Sequence, residues 1–600
     1  MAPHAIRSAF TFGLTGLVAL SPLSAATAPA VRDGVPTAEA CAALGFAPPQ
    51  EDRRYRSGQM LSAPPPPPPM LQPRPSVASP ANAPSIPPLP VPPVQRRVGA
   101  PPAQESVVVT GSRIAPQPGF PAPQRDTELY PNATPNPVKR TAEEPVSTFS
   151  IDVDTASYAN VRRFLNDGAR PPADAVRVEE LINCFDYGYA TPRRGQAPFA
   201  ASISVAPSPW SAEREILHIG LQGYELAASA QPPLNLVFLI DTSGSMWSED
   251  RLPLAKKAMN VLIDQLGPED RVSMVAYAGS AGAVLAPTAG TQKLMMRCAL
   301  GALEAGGSTA GGAGLTLAYD LAAQNFDPKA VNRVILMTDG DFNVGVADPE
   351  RMKDLVTEKR RSGVYLSVYG FGRGNYNDVM MQNLAQNGNG TAAYIDTLAE
   401  ARRLFRDDLP ASLFPIADDV KIQVEFNPAT VAEYRLIGYE TRLLNREDFN
   451  NDQVDAGEVG SGASVTALYE ITPVGARPSS DPLRYQSRTR AAAGGAELAF
   501  LKVRYKPPGG SSSQLMSRPI TNADRAASLS RAPEATRWAV AVAAFGQKLR
   551  GDPWVAESFG WDDIETLAQG ARGEDIDGDR AEFITLVRAA EDGQVAMSRR

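Results

Sequence analysis

The side chains best suited to chemistry are hydroxyls and carboxylates in three short stretches. Asp241-Thr-Ser-Gly-Ser245 sets two hydroxyls at alternate positions beside a carboxylate, and Gly244 permits the tight turn. Gly306-Gly-Ser-Thr309 offers a further hydroxyl, and Thr338-Asp339-Gly-Asp341 adds two more carboxylates. Oxygen donors with few formal charges and no imidazole suit a Mg²⁺-type cation, which prefers an octahedral shell and keeps several waters. The chain has only two histidines, His4 and His218, and Cys41, Cys184 and Cys298 form no CxxC spacing. A histidine-cluster or cysteine-ligated zinc site is thereby excluded. A Ser-His-Asp triad would depend on His218, which alternation along Glu215 to Leu221 places on the wetter face of a strand. Cys184 and Cys298 sit in apolar helical contexts and read as buried thiols.

The elements that must position these residues follow from periodicity. Leu234 to Ile240 is a near-continuous apolar run, as expected for a strand buried on both faces. Alternating strands and helices then continue to about Pro410: strands Arg271 to Ala278, Val331 to Thr338, Val364 to Phe371 and Thr391 to Ile395, with helices between them. This predicts an α/β, Rossmann-like, doubly wound and mostly parallel sheet, whose ligands gather at the carboxyl ends of the strands. All three stretches named above fall at or beside such ends. On either side, Phe199 to Val205, Glu215 to Leu221, Val420 to Phe426, Tyr434 to Tyr439, Ser464 to Ile471 and Glu497 to Tyr505 alternate with period two. They predict an antiparallel β-sandwich in which the α/β unit is inserted. Helices are expected at the C-terminal end, over Thr536 to Leu549, Trp561 to Ala568 and Ala581 to Glu591.

Asp241-x-Ser-x-Ser245, Thr309 and Asp339, in this order and on these elements, resemble the metal-ion-dependent adhesion site of von Willebrand factor type A (VWA) domains. The resemblance spans Leu234 to about Pro410. It implies that Ser243, Ser245 and Thr309 contact Mg²⁺ (or Mn²⁺ or Ca²⁺) directly or through water, supported by Asp241 and Asp339. It also implies a protein partner that presents Asp or Glu to the metal. The flanks, Ser147 to Leu165 and Val420 to Ile471, resemble bacterial exported VWA proteins with dedicated N- and C-terminal flanking domains.

Met1 to about Ala28 reads as a secretory leader: Arg7, an apolar run from Ala9 to Leu20, then small residues around Ala25. Export to the periplasm or cell surface of a Gram-negative bacterium follows, with no transmembrane helix in the mature chain. Residues 29–144 are expected to be a disordered Pro-rich spacer; 24 of the chain's 55 prolines fall between Leu61 and Arg140, which argues against helix or sheet there. Within it, residues 105–114 contain Val107, Val108, Val109 and Thr110, a strand-prone island able to add an edge strand to a partner. This island resembles the TonB-box region of outer-membrane receptors, which implies a TonB-like partner. The expected organisation is completed by an N-terminal flank at 145–230, the VWA domain at 231–412, a β-rich part at 413–510 and a helical part at 511–600.

The net charge of −8 gives no basic footprint for nucleic acid. Asp152-Val-Asp154-Thr155 has the carboxylate pair of an aspartyl phosphatase but Ala156 where Thr or Val is required, so Asp154 is read as a helix cap. No GK[ST] or GxGxxG motif supports a nucleotide enzyme. The expected function is therefore a non-catalytic, metal-dependent binding module of the cell envelope. The alternative is an envelope scaffold in which the metal only braces the fold.

Overall fold

A computed structural model describes residues 31–32, 35–46, 127–132, 134–151, 154–192, 197–309, 311–340, 349–454, 456–481 and 496–598. The leader and the Val107–Thr110 island lie outside these residues.

The α/β domain is built on six strands: β1 (Leu234–Asp241), β2 (Arg271–Tyr277), β3 (Ala281–Ala289), β4 (Val331–Thr338), β5 (Val364–Phe371) and β6 (Ala392–Ile395). Their order is β6-β5-β4-β1-β2-β3, parallel throughout except for β3, which returns antiparallel along β2. Alternate residues of β1 serve the two faces. Leu236, Phe238 and Ile240 pack with helix Leu252–Gln265, whereas Val237 and Leu239 pack with helix Gly311–Gln324. The apolar run is the consequence of this double burial. Strand β3 was not expected, because its Ala, Gly and Pro content has low strand propensity. As an edge strand it needs pairing on one side only, which tolerates Pro287.

The chain enters this domain from strand Glu215–Gly223 and leaves it into strand Pro415–Phe426, so the α/β unit is an insertion in a sandwich. Glu215–Gly223 lies between Phe199–Pro207 and Ser464–Pro473, antiparallel to both. In the facing sheet Pro415–Phe426 is flanked by Val146–Ser150 and Glu497–Lys506. Leu217, Ile219 and Leu221 meet Ile422, Val424 and Leu501 between the sheets. The outer face of the first sheet is covered by helices: Ile216, Ile437 and Leu468 join Val161, Leu181, Trp538 and Phe583 in one core. The two flanks of the insertion pair in one sandwich, as their period-two runs predict, and the C-terminal helices pack on it as an outer layer.

His218 corrects its expected position. It is 2% exposed beneath those helices, with its ring nitrogens 2.7 Å from the Tyr189 hydroxyl and the Thr536 Oγ1. The wetter face of the strand exists only if the helical layer is absent. Burial pushes its pKa down to about 3 from the ordinary 6.5. The unfolded chain takes up this proton below 6.5 while the folded chain refuses it until about 3, so stability falls as pH drops through that window. His218→Gln is expected to flatten the decline in melting temperature between neutral pH and pH 4 by about a few kcal/mol of stability.

Asp154 is not a helix cap either. Its carboxylate accepts from the backbone N–H of Ala392, 2.9 Å away, and pairs with Arg442 at 2.9 Å, tying β6 to the sandwich.

The expected spacer, 29–144, carries structure at both ends. Helix Ala38–Ala43 is joined to helix Lys293–Gly301 by a disulfide between Cys41 and Cys298. At the other end, Thr127 and Leu129 bond to the backbone of Gly374 and Tyr376, and strand Lys139–Arg140 pairs with Tyr434 and Glu433. Cys298 is not a thiol; the pairing is invisible in the sequence because 257 residues separate its partners. Cys184 is buried and free. A thiol assay in denaturant is expected to find one cysteine without reductant and all three after reduction.

Candidate metal and partner site

The site forms where β1 and β4, central neighbours in the sheet, end side by side. After β1 the chain turns tightly. The Ser243 N–H donates to Asp241 Oδ1 at 2.8 Å, and the Ser243 and Ser245 hydroxyls stand 3.0 Å apart. Asp241 Oδ2 accepts from Tyr277 of β2 at 3.1 Å and from Thr338 of β4 at 3.2 Å, so one carboxylate knits three strands. The loop before helix Gly311–Gln324 is brought in by its backbone: Gly244 N–H donates to Gly307 O, and Gly306 N–H to Thr242 O. Asp241, Ser243 and Ser245 are thus joined directly, Asp339 adjoins them through Thr338, and Thr309 follows two residues after the Gly307 contact.

Asp241 and Asp339 are fully buried. Burial pushes the Asp241 carboxyl up to about 6, with the charge of Asp339 adding to the effect and the Ser243 hydrogen bonds opposing it. All of the hydrogen-bond donors just described for Asp241 are neutral. A buried carboxylate with uncharged donors, beside two hydroxyls, is the arrangement a divalent cation relieves. Ser243, Ser245, Asp241 and Asp339 could hold such a cation, with Thr309 the further hydroxyl that the neighbouring loop carries.

Arg251 was not foreseen. Its guanidinium donates to Asp339 Oδ2 and to the Ser245 carbonyl, both at 2.7 Å, and to the Arg373 carbonyl and Asn375 Oδ1 beyond β5. It clamps the loops after β1, β4 and β5. Gly372, at φ +75°, allows this passage, because a Cβ there would lie 2.3 Å from Arg251 Nε. Nothing in the spacing of Arg251 marks it; only the fold brings it to Asp339. Among the described residues the two buried carboxylates and this guanidinium leave one negative charge, which a bound divalent ion would turn net positive. Trp247, two residues beyond Ser245, was also missed. It is 74% exposed, an unusual position for the largest apolar side chain.

The profile of the von Willebrand factor type A domain matches residues 235–407, and a profile described as the C-terminal part of uncharacterized protein YfbK matches 411–592. A further von Willebrand factor profile matches 124–218. Uncharacterized protein YfbK of Escherichia coli K12 is 46% identical over 473 residues, covering 78% of this chain and 81% of that protein. The chain belongs to the YfbK family of VWA-domain proteins. Uncharacterized protein sll0103 of Synechocystis is 32% identical over 174 residues, covering 29% of this chain and 40% of its own. Among solved structures, a von Willebrand factor type A protein from Catenulispora acidiphila is 18% identical with a TM-score of 0.37, over 64% of this chain and 88% of that one. Proximal thread matrix protein 1 of the mussel byssus, solved with a zinc-occupied MIDAS motif, is 22% identical with a TM-score of 0.24, over 30% of this chain and 45% of its own. In this chain the two other profiles match on either side of the VWA match, in keeping with the insertion described above. Among the described residues no helix is long and apolar enough to cross a membrane.

Proposed function

We propose that the protein is a non-catalytic binding module of the cell envelope. A divalent cation held by Ser243, Ser245, Thr309, Asp241 and Asp339 would bridge to a carboxylate of a protein partner. The observation that carries this reading is the convergence of the β1 hydroxyl pair, 3.0 Å apart, with two buried carboxylates at the carboxyl edge of the sheet. The guanidinium of Arg251 deepens it: with the metal bound, the centre is a net cation and favours an anionic group over a neutral one. Trp247, exposed on the same loop, supplies an apolar anchor of the kind that dominates protein interfaces. The Cys41–Cys298 disulfide supports an oxidising, exported location.

The test is capture of envelope proteins on the immobilised chain in Mg²⁺, followed by elution with EDTA. A partner released by EDTA and retained in high salt supports metal bridging; one indifferent to EDTA leaves the scaffold reading. Trp247→Ala is expected to weaken capture by about ten- to thirtyfold, in line with truncating an interface anchor.

A further inference from the structure

At the opposite end of the central sheet from the candidate metal site, β4 carries a buried arginine beside Asn332. Arg333 is 3% exposed. Among the described residues seven other arginines are equally enclosed, and every one has a carboxylate oxygen within 3.1 Å. Among the described residues Arg333 has none within 4.0 Å. It donates to Ser367 Oγ at 2.7 Å, lies 5.7 Å from the centre of the Tyr365 ring, and its Nε has no hydrogen-bond partner. A guanidinium removed from water without a carboxylate in contact is costly, and burial accordingly pushes its pKa down.

Arg333 borders a cavity of about 280 Å³ between the α/β domain and the sandwich. The walls are polar: Asn387 and Thr391 from the turn before β6, Ser412 from the return to the sandwich, Ser150 and Glu458 from the sandwich itself. Glu458 accepts from the Asn389 side chain and is the carboxylate that most favours the charged form of Arg333. Arg442 also lines the space but is already paired with Asp154. Among the described residues the cavity thus brings together a guanidinium with no carboxylate in contact, the Glu458 carboxylate and a rim of amides and hydroxyls.

We propose that this cavity binds a small organic acid carrying an amino or hydroxyl donor, its carboxylate on Arg333 and its donor directed to Glu458. A planar guanidinium holds a carboxylate through paired N–H groups. The negative charge of Glu458 disfavours a multiply charged anion such as phosphate. The site is independent of the metal centre and draws on none of its residues.

The test uses the full chain, with glycine, lactate, acetate and inorganic phosphate as probes in calorimetry and thermal melts. Glycine or lactate at about 10 mM is expected to bind and raise the melting temperature, acetate to bind at least about tenfold more weakly, and phosphate not at all. Arg333→Met should lose the response to glycine and lactate while melting no lower than the wild type without ligand, since it removes an uncompensated charge. Glu458→Gln should bring acetate level with lactate. Asp241→Asn should leave the response intact. Absence of binding by both glycine and lactate, equal binding by Arg333→Met, or phosphate binding as tight as lactate would each overturn the assignment.

Discussion

Asp241→Asn is expected to weaken Mg²⁺ or Mn²⁺ binding by at least about a hundredfold in calorimetry, while the metal-free protein melts no lower than the wild type. Both halves follow from one carboxylate. Asp241 is fully buried, and the donors described for it are the neutral groups of Ser243, Tyr277 and Thr338. In the metal-free protein its charge is therefore poorly compensated, which is why burial moves its pKa up to about 6. An amide of the same shape removes that cost but cannot support the cation. Asp339 makes a poorer probe. It is the carboxylate of Arg251, so Asp339→Asn would strand a buried guanidinium and destabilise the three loops it clamps. A loss of metal binding there would not separate ligation from folding. If Asp241→Asn bound Mg²⁺ as tightly as the wild type, the cation would have to sit elsewhere.

The clustering of Asp241, Ser243, Ser245 and Asp339 was legible because these residues come in short local spacings, two hydroxyls flanking a glycine and a carboxylate after an apolar strand. Those spacings survive without knowledge of the fold. Arg251 carries no such mark: it matters only because the carboxyl ends of β1, β4 and β5 meet, a fact of topology. The insertion was legible from period-two runs on both sides of the α/β segment, and the pairing of Glu215–Gly223 with Ser464–Pro473 bears it out. The layers were not. Alternation says that a strand has two faces but not what covers them, so His218 was assigned to water when Trp538 and its neighbours cover that face. Cys41 failed for a related reason. It sits beside a Pro-rich tract whose composition suggests a chain with no partner, and a disulfide over 257 residues is beyond any local pattern.

The interleaving carries the second large expectation. A fragment of residues 411–600, the stretch bounded by the family's C-terminal profile, should fail to fold alone, whereas co-expression with residues 124–230 should restore a soluble, cooperatively melting complex. Each sheet of the sandwich takes strands from both fragments: Val146–Ser150 in one, Phe199–Pro207 and Glu215–Gly223 in the other. Without them Pro415–Phe426 and Ser464–Pro473 would each expose a long apolar edge and half of a core. The helical layer has the same dependence. Trp538 packs edge-on against Phe185 and Phe583, both ring centres 5.2 Å away, and Arg580 lies over its face. Phe185 comes from before the insertion and Phe583 from the end of the chain. Trp538→Ala in the intact protein should therefore cost about 3–5 kcal/mol and lower the melting temperature of the sandwich and helices together. The α/β domain's divalent-metal binding should persist to a higher temperature, because the layer that packs Phe238 with Leu262 takes none of Trp538, Phe185 or Phe583. A Trp538→Ala protein that lost metal binding and the sandwich in one transition would show that the inserted domain and its host fold as a single unit.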